Sequence, residues 1–133
     1  MKKNPNPFAV TQEDGATFVN QVGFALVLLP GPVVLHYIED PRASWLLAGV
    51  LCALCGAVGG GLFGLGRAPA RAGILGGFLA SMGGMLLTCL CLSRRESYFL
   101  GEAALLWMFG SVPGVLIYKD VCERAATARR SRP

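Results

Sequence analysis

A chain of 133 residues has room for one domain, and this one is 53% hydrophobic and only 15% charged. Water-soluble domains carry about a quarter charged residues. A domain this small must expose much of its area, so a composition with almost no polar helix face excludes a soluble bundle.

The N-terminal tail, residues 1–17, is polar and carries Lys2 and Lys3. Fourteen residues separate those lysines from the first apolar run, and no A-x-A site follows it. The run therefore reads as an uncleaved helix rather than a signal peptide. It spans 18–38, with His36 and Tyr37 as its only ionisable groups. Pro30-Gly31-Pro32 lies within it, and each proline removes an amide donor and displaces the carbonyl four residues earlier, here those of Leu26 and Leu28. A helix break is expected there.

The second run, 45–66, contains no charged residue. Gly59, Gly61 and Gly64 spell G-x-G-x-x-G, the spacing that cradles a dinucleotide pyrophosphate. That fingerprint needs a preceding strand and an acidic residue about 20 positions on, whereas here the glycines close an apolar helical run. The helical reading explains more. Ala48, Cys52, Gly56, Gly60 and Gly64 recur every four residues. In the third run, 72–92, Ala72, Gly76, Ala80, Gly84 and Thr88 do the same, and Gly73, Gly77 and Ser81 widen the strip. In lipid no hydrophobic force draws helices together, and small residues at this spacing let two backbones approach. The short linker Arg67–Arg71 with its central Pro69 makes spans two and three an expected packed hairpin.

The fourth run, 98–118, holds Glu102 as its only charged residue. Gly110 and Gly114 give it a face able to join the bundle, and Pro113 is a second expected break. The basic tail 119–133 follows. At 1.5 Å per residue each run reaches roughly 30 Å, the thickness of a bilayer's hydrocarbon core. The fold expected is a single all-α membrane domain of four spans.

An even number of spans places both termini and the middle loop on one side. That side collects Lys2, Lys3, Arg67, Arg71, Lys119, Arg124, Arg129, Arg130 and Arg132, against Arg42, Arg94 and Arg95 on the other. Short basic loops stay in the cytoplasm, so both ends are expected inside. Tyr37, Trp45 and Tyr98 fall at the outer interface and Tyr118 at the inner one. Richness in Ala, Gly and Arg suggests a bacterial plasma membrane. The lipid bilayer is the expected partner, with a second copy or a larger membrane protein beside it. No aromatic residues interleave with the tail's charges, which argues against nucleic acid.

An ionisable group inside a span marks a candidate site. His36, Arg94, Arg95 and Glu102 gather at the outer end, where the arginines also suffice to neutralise Glu102. Cys52 and Cys55 form C-x-x-C in span two, Cys89 and Cys91 lie near the outer end of span three, and Cys122 sits in the tail. A four-span protein with C-x-x-C resembles the disulfide-generating quinone reductases, in that tetrapeptide and the helix count alone. Those enzymes carry further cysteines in outer loops, and the outer loops here hold none. Cys52 also lies within the small-residue stripe, where a thiol serves as an apolar filler. Neither a metal nor a cofactor is expected. The leading expectation is a non-catalytic membrane protein that works by packing, as an oligomer or accessory subunit. The alternatives are a transporter or channel subunit using the broken first helix and Glu102, and third a membrane thiol oxidoreductase.

Overall fold

The computed structural model describes residues 12–39, 45–92 and 94–132. Lys2, Lys3 and Arg42 lie outside them. Five α-helices follow in order: α1 Gln12–Leu28, α2 Pro30–Glu39, α3 Trp45–Phe63, α4 Ala70–Leu92 and α5 Leu100–Arg130. Among the described residues there is no strand. Four helical stretches are long and apolar enough to cross a membrane: Phe18–His36, which joins α1 to α2, and the helices α3, α4 and α5.

The first span breaks where the prolines fall. The chain leaves helix at Leu29, whose amide still donates to the Ala25 carbonyl at 2.8 Å, and restarts at Pro30. Pro30 and Pro32 thus occupy the first turn of α2, where amides have no intrahelical acceptor, so their missing donors cost little. Tyr98 steadies the restarted segment by donating its hydroxyl to the Leu35 carbonyl at 3.2 Å.

Helix α3 ends at Phe63, short of the expected 66, and the turn begins at Gly64. Gly66 has φ +77°, a left-handed conformation that residues with a side chain rarely adopt, which is why the helix cannot run on through it. The Pro69 carbonyl then accepts from the Ala72 and Gly73 amides and starts α4.

The expected break at Pro113 is absent, because α5 continues through it. Proline deprives the Phe109 carbonyl of its donor, yet its exposed flank gives the ring room, and the remaining turns carry the helix onward. Helix α5 also runs past the expected span and takes the tail with it to Arg130. Pairs four residues apart, Lys119 with Glu123 and Asp120 with Arg124, brace that extension. Its 31 residues reach roughly 45 Å, well beyond a hydrocarbon core.

Helix α4 is central, flanked by α3 and α5, while α1 lies on α3 and α2 touches α3, α4 and α5. Among the described residues, α1 and α5 do not pack on each other. Glycines face one another along three interfaces. A methyl group built at Gly59 would lie 2.6 Å from the Gly23 carbonyl of α1. One at Gly77 would lie 2.6 Å from the Gly60 Cα of α3. One at Gly110 of α5 would lie 2.7 Å from the Gly84 Cα. No side chain fits at such distances.

The two strips on α4 serve different neighbours. Gly73, Gly77 and Ser81 meet α3, whereas Gly76, Ala80 and Gly84 turn to α5, against Tyr118, Gly114 and Trp107. The expectation that Gly76, Ala80 and Gly84 face span two is corrected accordingly. A helix advances 100° per residue, so strips one position apart point to different sides. A central helix needs both.

The outer surface is oily. Leu46 is 79% exposed, Leu90 73% and Phe109 68%, on three different helices. Hydrocarbon is the solvent that tolerates such a surface.

Candidate functional site

We call the end of the bundle with the 64–69 turn and the continuation of α5 the terminal end, and the opposite one the far end. At the far end, Arg95 Nη1 donates to Glu102 Oε2 at 2.6 Å, with both side chains about half exposed. Glu102 lies in the first turn of α5, where a carboxylate also complements the helix dipole. An exposed pair of this kind contributes about 0–1 kcal/mol. Arg94 is exposed nearby in sequence, and His36 is exposed at the end of α2. Within the expected polar site, Arg95 and Glu102 form an ion pair that lies on the surface.

The small residues sit deep. Ala48, Cys52, Gly56, Gly60, Gly64, Ala72, Gly76, Ala80 and Gly84 are all buried. Cys52 belongs to an apolar cluster with Val34, Met85 and Trp107, against which Met82 and Cys89 pack. The Ser81 hydroxyl crosses from α4 to the Cys52 carbonyl at 2.8 Å. All five thiols are free. The G-x-G-x-x-G positions serve unrelated ends: Gly59 abuts α1, Gly61 lies by Ile74 and Gly64 opens the turn.

Two clefts mark the seam between the broken first span and α5, which among the described residues α2 touches and α1 does not. The far cleft, about 330 Å³, is walled by Leu28, Gly31, Pro32, Leu35, Ala103 and Met108 among others. Thr88 and Trp107 also line it, and both are almost wholly buried. Neither the Thr88 hydroxyl nor the Trp107 indole nitrogen has a hydrogen-bond partner. A buried polar group left so costs about 1–3 kcal/mol. Trp107 is seven residues into α5, roughly 10 Å from its start.

The second cleft continues from the first at Leu28 toward the terminal end and measures about 280 Å³. Phe24 and Val27 of α1 form one wall, Val115 and Tyr118 of α5 the other, and glycines of α3 and α4 the floor. Rings step across its lower end, Phe24 to Phe63 and Phe63 to Tyr118, each at 6.1 Å between centroids. Below, a void of about 250 Å³ shares Phe24 and Phe63 with it and adds Asn20, Gln21 and Arg67. Asn20 is 6% exposed, and both its amide nitrogen and oxygen lack partners.

On its other flank Arg67 borders an open groove of about 540 Å³, with Cys122, Arg129 and Arg130 on the α5 side. Among the described residues no carboxylate pairs with Arg67, Arg129 or Arg130.

Asn20, Arg67 and Trp107 escape a reading based on stripes and spans. Asn20 and Gln21 did carry a signal, as a pair of amides inside an apolar run. No known protein family, curated protein or solved structure matches this chain.

Proposed function

We propose that this chain is a small multi-pass membrane protein that acts by helix packing, without catalysis, as an oligomer or as an accessory subunit of a larger membrane assembly. Nine basic residues on the side of the termini against three on the other support cytoplasmic ends. Composition favours a bacterial plasma membrane. In this reading the glycine contacts of α3 with α4 make a tight hairpin on which the other helices lean.

The observation that carries the proposal is the far cleft. Its walls are almost all carbon and include the exposed Leu100 and Met108. A neighbouring transmembrane helix supplies what such a place lacks, carbon to fill it. Glu96, Glu102, Asp120 and Glu123 are exposed, and none of them lines this cleft. Transport through the broken first helix would need a polar path from Pro30–Pro32 to Glu102, and the Arg95–Glu102 pair on the surface gives that reading no support. Thiol exchange draws none from Cys52, which is fully buried.

Purification from native membranes in mild detergent tests the proposal. The expected result is one stable companion, either a second copy or one other membrane protein. Met108→Trp, which fills the cleft from an exposed position, should weaken that association by about tenfold. A solitary monomer in native membranes, or a companion indifferent to that substitution, would overturn it.

A further inference from the structure

The two lower cavities of the seam have the shape and polarity of one amphiphile. The upper one, between Phe24 and Val27 on one side and Val115 and Tyr118 on the other, is lined almost wholly by carbon. The lower one is reached past Phe24 and Phe63 and is ringed by two amides and a guanidinium. Arg67 is the telling residue. It is exposed, borders the void and has no carboxylate partner among the described residues. Asn20 and Gln21 border the same void. A fixed positive charge beneath an apolar cleft calls for a ligand with an anionic head and a hydrocarbon tail.

The geometry points to a bound anionic phospholipid from the leaflet on the side of the termini. Its phosphate accepts from the Arg67 guanidinium, as an ionised acceptor with a charged donor makes the strongest such bond. One acyl chain lies in the cleft over Gly76 and Ala80, closing the seam that α1 and α5 leave between them. Arg67 gives preference for a headgroup of net negative charge over a zwitterionic one. The depth fits, because Arg67 lies in the turn between α3 and α4, where a helix pair leaves the hydrocarbon, and Asn20 is on the helix that flanks it.

Native mass spectrometry of the detergent-purified full chain tests the site, with phosphatidylglycerol, phosphatidylcholine or inorganic phosphate added in separate arms. One phosphatidylglycerol per chain is expected to survive desolvation, with phosphatidylcholine retained about tenfold less. Inorganic phosphate should neither bind measurably nor displace the lipid, since it has nothing to place in the cleft. Arg67→Gln should cut retention about tenfold, and so should Val115→Trp, which plugs the cleft from an exposed position. Arg71→Gln, one turn away and outside the void, should change nothing. Equal retention of both lipids, displacement by inorganic phosphate, or equal loss in the Arg67 and Arg71 variants would overturn the assignment. All three substituted positions are exposed, so the variants keep the fold and the readout stays interpretable.

Discussion

Asn20, Ser81, Thr88 and Trp107 carry the polar atoms that the bundle buries, and Ser81 alone among them spends its donor inside the bundle. The cost of the others is what makes them informative, because hydrocarbon offers no stray water to make good the deficit. Ser81→Ala should lower stability by about 1 kcal/mol, the ordinary net worth of one hydrogen bond, measured by reversible unfolding in mixed micelles. A loss several times larger would mean that the Cys52 carbonyl depends on Ser81 rather than merely sharing it. Glu102 is the opposite case. Its ion pair is wet and exposed, so Glu102→Gln should shift stability by less than about 1 kcal/mol in the same assay.

Among the elements, α5 departs furthest from expectation. Pro113 in a helix interior ordinarily costs about 3 kcal/mol, yet the helix does not stop there. Pro113→Ala restores a donor and removes a clash at an exposed position, so it should stabilise the protein by about 1–3 kcal/mol. A lower unfolding midpoint would show that the proline's shape is needed, for example to seat Gly110 and Gly114 on α4. The spans themselves were readable because charge is missing from them; that is a property of each segment alone. The restart at Pro30 was readable for the same reason, since proline acts on its own backbone. The continuation of α5 was written in Lys119–Glu123 and Asp120–Arg124, but charge signals an exit from lipid more strongly than it signals a helix. The end of α3 followed from Gly66, whose left-handed φ no periodicity reports.

At the scale of the whole molecule, the order of packing is what the sequence conceals. Gly76, Ala80 and Gly84 and their neighbours Gly73, Gly77 and Ser81 look interchangeable on paper, since α4 is small on most sides. Only the placement of α3 and α5 around it decides which strip meets which helix. The clefts are hidden for the same reason. Phe63 joins two of them, the cleft that it shares with Tyr118 and the void that it shares with Asn20 and Arg67, and these residues come from three helices and a turn. Three interfaces closed by bare backbone and one left open give a bundle with a defined place for something else to fit.

The central claim is that missing side chains, not matched ones, hold these helices together, and alanine replacements compared within one protein test it most directly. Gly49 lies in an α3 helix with 3.7 Å of clearance for an added methyl group, whereas Gly77 and Gly110 face the backbones of α3 and α4. The unfolding midpoint in lipid or detergent should stay level or rise for Gly49→Ala, which gains up to about 1 kcal/mol of helix propensity. It should fall for Gly77→Ala and Gly110→Ala by the equivalent of about 1–3 kcal/mol, the cost of overpacking. If all three variants moved together, the backbone contacts would not be what joins the bundle.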